Sequence, residues 1–443
     1  MIRIIKQEFH IWLILLLTAI LRLISINQSL WLDEATTALV AKMSMTDIFG
    51  KFLPGDFHPP FYYLLMNSWV KMFGSSEISL RIPSVIFGTA SVYFVYLISK
   101  KLFDKKTALI ASALSATSGL LIYYSQEARM YGLAALLVSA AFYLFLEKRW
   151  ILFSISLALL GMTDYIALLV IPMFLIFDKE NRKKVLVSLI PLVVVFMFWL
   201  PTFWNQISGG LGVAGSAWWN ILGTLSWKNL ALIPVKFILG RISFDNKIIY
   251  ALAAIASCSV FGFLLIKSLK APKLIWAWLV TPILLGILIS IKVPILYYFR
   301  FLFCLPALYI LVGRGISSLR GFWFGGILSA AILINIFSSG YYLMDTKFQR
   351  EDWRGIARAI GTNAVVYPSN SQEEALVYYG KGNQIVYFYD FNGGDTTIWL
   401  SRYIWQIFDP GDKARIKVEN LGYNKVQELN LNGVEFWKYE NSH

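Results

Sequence analysis

The sequence predicts a membrane-embedded all-α protein carrying a small α/β domain at its C-terminal end. Three observations lead there. Of 443 residues, 57% are hydrophobic and only 15% charged, where a water-soluble chain carries about 25% charged residues. Eleven apolar runs recur along the first 344 residues, most of them long enough to approach the ~20 residues that cross a hydrocarbon core. Beyond residue 345 the runs stop, and the chain alternates helix-like with strand-like segments.

The eleven runs are 9–26, 80–99, 107–123, 130–146, 150–163, 165–177, 185–203, 248–266, 274–291, 295–313 and 322–343. The fifth and sixth are short, as expected of tilted, broken or re-entrant segments. Arg3 and Lys6 precede the first run, which continues into Arg22 without a small-residue cleavage site, so the reading is an uncleaved first span. Up to Met344 there are 29 Lys and Arg against 13 Asp and Glu; the remainder has 11 against 13. The basic excess of +14 therefore belongs to the membrane portion, and a nucleic-acid partner is not indicated.

Basic residues near span ends collect on the cytoplasmic side. Arg3, Lys6, Lys100, Lys101, Lys105, Lys106, Lys148, Arg149, Lys179, Arg182, Lys183, Lys184, Lys267, Lys270, Lys273, Arg314 and Arg320 all fall on alternate loops if the N-terminus is cytoplasmic. About eleven spans then leave the C-terminus outside, giving a membrane domain over 1–344 and an extracytoplasmic α/β domain over 345–443. Within that tail, 351–360 and 372–379 read as helices, 364–367 and 384–389 as strands. Asn432-Gly433 between two strand-like runs reads as a hairpin turn, because both residues accept positive φ at little cost. Cys258 and Cys304, both within apolar runs, form no disulfide framework or thiolate metal site.

The external segments 27–79, 204–247 and 345–443 are where chemistry is expected. Asp33 and Glu34 directly follow the first span; on a helix they diverge, so one can face a cavity while the other serves structure or a metal. A pair of acids opening an interfacial helix is the plainer alternative. His58, in Gly55-Asp56-Phe57-His58-Pro59-Pro60, is a ligand or hydrogen-bonding candidate beside a plain turn histidine, and Arg81 reads as an anchor or carboxylate partner. Glu127 and Arg129, in Tyr123-Tyr124-Ser125-Gln126-Glu127-Ala128-Arg129-Met130-Tyr131, sit two apart and cannot pair along one helical face. Lys292, Tyr297 and Arg300 place cations and a phenol at the outer boundary, a set that suits a lipid phosphate as well as an interfacial belt. Arg22 is an intramembrane charge facing either the same cavity or a structural partner. Asp164, between the two short runs, reads as an outer turn.

Taken in order, Asp33-Glu34, His58-Pro59-Pro60, Leu80-Arg81-Ile82-Pro83-Ser84 and Ser125-Gln126-Glu127-Ala128-Arg129-Met130-Tyr131 resemble the GT-C glycosyltransferases, in particular the protein O-mannosyltransferase and aminoarabinose transferase family. The resemblance covers about the first 150 residues, 297–306 less closely, and the tail only in character. It implies a GT-C fold with interfacial helices in the first external loop and a polyprenyl phosphate sugar as donor. A lipid, glycan or protein hydroxyl is then the acceptor, with mannose or another hexose favoured. Asp33 matches the family's base, Glu34 its acidic neighbour and Glu127 a second acidic position at which relatives often have Asp. Arg129, Arg300, Lys292, Tyr297 and Arg22 become candidates for the donor phosphate, with His58, Arg81 and Tyr131 in support. No cofactor is required, and a divalent metal, if any, would involve Glu34 or His58. A phosphate leaving group needs cations rather than a nucleotide-binding loop. Two alternatives stand beside this reading. A lipid transporter or flippase would show repeated halves and midplane polar residues, and a transferase using a lipid diphosphate donor would draw on the same residues.

Overall fold

The computed structural model describes residues 8–212, 219 and 223–441; Arg3 and Lys6 of the expected cytoplasmic start lie outside the described residues. The chain divides into two compact units. The first comprises Met1–Ile26, Ser44–Leu65 and Arg81–Met344, the second Asn27–Met43, Met66–Leu80 and Asp345–His443.

Up to residue 344 the elements are helical: α1 (Phe9–Leu23), α2 (Leu32–Val40), α3 (Phe61–Phe73), α4 (Glu77–Leu102), α5 (Lys105–Thr117), α6 (Gly119–Ser125), α7 (Tyr131–Leu146), α8 (Trp150–Gly161), α9 (Ile171–Phe177), α10 (Arg182–Ser188), α11 (Ile190–Gly212), α12 (Trp227–Leu239), α13 (Lys247–Lys267), α14 (Lys273–Ile289), α15 (Leu305–Ser317) and α16 (Gly321–Met344). Tighter 3₁₀ stretches, Ile166–Val170 and Tyr298–Cys304, lead into α9 and α15.

Each of the eleven apolar runs coincides with a helix, but the lengths differ. Among the described residues, five segments are long and apolar enough to cross a membrane: α4, Arg182–Gly212, α13, Tyr298–Ser317 and α16. A sixth is the pair α5 and α6, bent by 61°. Five more are shorter: α1, α7, α8, Ile166–Phe177 and α14. The bend has a local cause. Ser118 is extended and caps α6 through Oγ, while carbonyls freed near the break are satisfied by side chains: Arg22 donates to Ala116 O at 3.1 Å and Asn335 to Leu114 O at 2.8 Å. A broken helix at membrane depth needs such partners, since lipid offers none.

Within the first unit α15 is a buried helix, most of whose residues are inaccessible. Its glycines permit this. A Cβ at Gly313 would come 2.9 Å from the Ala111 methyl, and one at Gly315 would strike the Leu264 carbonyl, so both mark close helix approaches of the kind small residues allow in membranes. Conversely, α11, α13 and α16 present large apolar side chains outward, among them Phe198, Ile255 and Phe322, as a lipid-facing surface does.

The second unit is built on a five-stranded sheet of order β2-β1-β3-β5-β4: β1 (Ala364–Tyr367), β2 (Ile385–Tyr387), β3 (Thr397–Ser401), β4 (Tyr423–Leu431) and β5 (Val434–Asn441). β1 runs parallel to β2 and β3; β5 is antiparallel to β3 and β4. Helices α17 (Trp353–Ile360), α18 (Glu374–Tyr378) and α19 (Lys413–Asn420) complete it. On one face Val366, Ile398, Leu400 and Tyr439 pack with Ala414 and Val418 of α19. On the other, Trp353 of α17 meets the rings of Tyr403 and Phe436. The expected hairpin forms, with Asn432 and Gly433 at φ 50° and 91°. The first-loop helix α2 packs on α18, and Tyr379 at its end accepts from Leu30 N at 2.8 Å. Strand β3 and helix α19 are elements the sequence reading did not anticipate.

Candidate active site

In the first unit, the segment around His58 is pinned from both sides. Phe61 N donates to Met162 O at 2.8 Å, and Gln206 of α11 donates to Leu53 O and His58 O at 2.8 and 3.2 Å. Tyr165 fixes Gln206 in turn, through a 2.7 Å hydrogen bond. The imidazole is thereby aimed between two charges. Its Nδ1 lies 3.3 Å from the Asp56 carboxylate and its Nε2 3.4 Å from Arg129 Nη2. A guanidinium only donates, so Nε2 accepts and the proton of the neutral ring resides on Nδ1, pointing at Asp56. Burial alone would raise the Asp56 pKa, yet the His58 ring that hydrogen-bonds to it, with Arg129 behind it, brings it down to about 2.

Arg129 is buried and also donates to Tyr63 Oη at 3.3 Å. Asp164 borders the same group. Its carboxylate caps the turn by accepting from Ile166 N at 2.8 Å, and burial pushes its pKa up against the opposing pull of His58, these turn amides and Arg300. Arg300 Nη1 donates to Pro294 O at 2.9 Å and lies within electrostatic reach of Tyr131 and Tyr297. Thus Asp56, His58, Arg129, Asp164 and Arg300 form one polar group drawn from four separate stretches of chain.

Glu127 is almost fully buried and belongs to a second group, with Tyr124, Tyr298 and Arg241. Arg241 stacks over the Tyr123 ring, its guanidinium carbon 4.7 Å from the centroid. Desolvation would lower its pKa, and the phenols of Tyr298 and Tyr124 with Glu127 hold it up instead. Arg241 nonetheless remains accessible to water.

Arg22 donates to Ser125 Oγ at 3.0 Å, to Thr18 O at 3.2 Å and to Ala116 O, so most of its donors are committed to structure. Arg81 donates to Ile26 O at 2.8 Å, tying the end of the first helical segment to the start of α4. Tyr131 packs edge-on against Tyr124 and Phe299, and Tyr297 packs at a tilt against Tyr298 and Phe299. Lys292 is exposed.

In the second unit, Asp33 and Glu34 open α2 and diverge as their positions on a helix require. Glu34 is fully buried, its Oε2 3.9 Å from Arg350 Nε. Asp33 is only partly covered. Its charge is felt by Glu374 and by Tyr403, raising the pKa of each after burial has already done so.

Neither metal candidate fits a divalent ion. Three or more His, Cys, Asp or Glu side chains do not converge anywhere among the described residues. The Glu34 carboxylate faces Arg350, and both nitrogens of His58 are engaged, one with a guanidinium. Asp56 and Arg241 are the residues the sequence reading left unassigned. Asp56 stands two residues before His58, a spacing that signals an Asp–His contact across a tight turn; Arg241 follows a helix-ending glycine, Gly240, at φ 61°, with no motif around it.

Residues 57–204 match the family model described as dolichyl-phosphate-mannose-protein mannosyltransferase, a stretch that holds His58, Arg81, Glu127, Arg129 and Asp164. No curated protein matches the chain by sequence. Among solved structures, the crystal structure of ArnT from Cupriavidus metallidurans bound to undecaprenyl phosphate superposes with a TM-score of 0.60 at 11% identity, covering 98% of each chain. The Archaeoglobus fulgidus oligosaccharyltransferase tethered to an acceptor peptide gives 0.57 at 13% identity over 99% of this chain and 74% of the other. The mycobacterial arabinofuranosyltransferase AftD gives 0.50 at 13% identity over 98% of this chain and 40% of its own. By architecture along nearly its whole length, and by family model over residues 57–204, the chain takes its place among proteins of the GT-C glycosyltransferase fold.

Proposed function

We propose that this chain transfers a sugar, with mannose or another hexose favoured, from a polyprenyl phosphate onto a hydroxyl acceptor outside the cell membrane, inverting the anomeric carbon. The observation that carries the reading is two polar groups set among apolar helices, one holding Arg129 and Arg300 with His58, the other Arg241 with Glu127 and tyrosines. Arg129 is buried, a buried cation among apolar helices is costly, and a lipid-borne phosphate is a ligand that repays it. The ArnT structure holds undecaprenyl phosphate and another structure of the archaeal oligosaccharyltransferase holds dolichol phosphate; the proposal extends that donor class here.

In the reaction, the acceptor oxygen attacks the anomeric carbon while Asp33 takes its proton, and the bond from that carbon to the phosphate oxygen breaks. The polyprenyl phosphate leaves with its charge met by the arginines, so the leaving oxygen needs no proton. Arg22, held by Ser125 and backbone carbonyls, positions the α5–α6 break, and Glu127 orients Arg241. Glu34 holds Arg350 in place. Residues 1–344 form the membrane domain with about eleven spans and a cytoplasmic N-terminus; 345–443 form the extracytoplasmic domain. Two separate cation groups also suit a lipid diphosphate donor, which is the second reading.

Purified full-length protein incubated with polyprenyl phosphate hexoses and outer-envelope acceptors tests this. Transfer with inverted configuration is expected, reduced about 10²–10⁴-fold in Asp33→Asn, the contribution of a positioned base. Undiminished transfer by that variant overturns the mechanism, and transfer from a lipid diphosphate alone selects the second reading. Because the described residues bring together no donor set for a metal, transfer should persist in EDTA.

A further inference from the structure

The sheet of the second unit has a feature its function has not absorbed. β1 lies between β2 and β3, parallel to both, so the chain leaves β1 toward one side and returns by way of β3 on the other. The carboxyl ends of β1 and β3 are thus a topological switch point, the place where open α/β sheets take ligands. Here that place is polar and under-satisfied. Tyr367, the last residue of β1, is 1% exposed, and its hydroxyl, although beside Ser401, has no partner in hydrogen-bonding geometry among the described residues. In the following loop and α18, Ser369 Oγ, Gln372 Oε1 and Glu374 Oε2 are likewise buried without partners.

Buried polar atoms are normally paired, and four left open in eight residues need an explanation. The charges nearby indicate the ligand. Glu373 and Glu374 face the Tyr367 phenol. Tyr403, after β3, donates to Glu351 at 2.8 Å and feels both Asp33 and Tyr367. Glu374 also feels Asp33, whose helix α2 packs on α18.

We infer that the carboxyl ends of β1 and β3, with α18 and Asp33, form an acceptor subsite for a polyhydroxylated glycan, bound through Tyr367, Ser369, Gln372 and Glu374. The inference rests on the transferase reading and names its acceptor class. Carboxylates and amide oxygens accept hydrogen bonds and repel anions, so the ligand is a donor-rich, uncharged or cationic molecule. Several open acceptors around one base demand several hydroxyls on one molecule, which a sugar has and a serine or threonine side chain lacks. In this arrangement one hydroxyl is offered to Asp33 while its neighbours are held by the loop.

Saturation-transfer NMR on the detergent-purified full chain, without donor, tests it. The probes are methyl α-D-mannopyranoside, glucosamine, glucuronate and an Ala-Thr-Ala peptide. The mannoside and glucosamine should bind, with glucuronate and the peptide at least about tenfold weaker. Tyr367→Phe should weaken mannoside binding about fivefold, one neutral hydrogen bond, as should Ser369→Ala, a loop change that spares the sheet. Thermal unfolding of both variants at the wild-type temperature makes the comparison valid. Equal binding of glucuronate, preference for the peptide, absence of glycoside binding, or unchanged binding by stably folded variants overturns the inference. Donor turnover by the wild type, measured on the same preparation, reports on the transferase reading separately.

Discussion

Arg129 donates to Tyr63 and faces the His58 ring, contacts that orient its guanidinium. The planar fork fixes that orientation, and a lysine cannot reproduce it because its ammonium is a point charge on a flexible stem. Arg129→Lys should therefore raise the donor KM about tenfold or more, the loss of one charge-assisted hydrogen bond of ~1.5–3 kcal/mol, with a smaller effect on the acceptor KM. An equal change in both would remove Arg129 from the donor side. At this scale the sequence was legible where charge is costly. Arg22 stood out as an ionisable residue inside an apolar run, and Glu127 and Arg129 as an acid and a base in the short loop between two such runs; all three are buried. It was opaque for Arg241 and Asp56, whose roles depend on which distant phenol or imidazole the fold brings to them. The open polar atoms from Tyr367 to Glu374 were equally invisible, since an unsatisfied group is defined only by what fails to reach it.

Helices and strands were read where a period or a turn dipeptide marks them. The four apolar residues Ala364–Tyr367 became β1, and Asn432-Gly433 took positive φ at both positions. The 61° bend between α5 and α6 was hidden, because Ser118-Gly119 lies inside an unbroken apolar run and the carbonyl partners that permit the break come from α1 and α16. Close packing has its own signature at α15. Gly315 has no room for a methyl against the Leu264 carbonyl, and backbone does not yield cheaply, so Gly315→Ala should destabilise the protein by about 1–3 kcal/mol, seen as a lower unfolding midpoint in detergent. A wild-type midpoint would mean α13 and α15 are less tightly apposed. In the second unit Asp412 joins Arg402 to Arg415. Burial raises its pKa, but hydrogen bonds from both arginines outweigh this and leave it below 3.8. A depressed carboxylate stabilises above its unfolded pKa and loses that contribution as pH falls through the folded value. Acid unfolding of the full chain should accordingly show a component below about pH 4 that Asp412→Asn abolishes, and an unchanged acid profile would count against the pair.

Membrane topology is a property of the whole chain, and here parity decides it. The shorter apolar helices run from 12 residues in α8 to 17 in α14, roughly 18–26 Å at 1.5 Å per residue, against a hydrocarbon core of about 30 Å. They cross only where tilt or a thinned bilayer accommodates them, or they do not cross. Helix α8 and the Ile166–Phe177 segment are consecutive and joined at Asp164, so if they enter and return as a hairpin, two crossings vanish together and the C-terminus stays on the side it had. If one alone failed to cross, every later loop would change sides, and Lys267, Lys270, Lys273, Arg314 and Arg320 would sit outside, against the basic-residue bias. The two cases separate by labelling. In a chain with Cys258 and Cys304 replaced by alanine, a thiol reagent that does not cross membranes should label Asn392→Cys in intact cells. It should label Lys183→Cys and Lys270→Cys only after permeabilisation. Asn392 and Lys183 are both exposed, so silence is not a matter of burial. Labelling of Lys270→Cys in intact cells would show that an odd number of crossings had been lost before it, and the cations assigned to the donor phosphate would then have to be divided between the two faces.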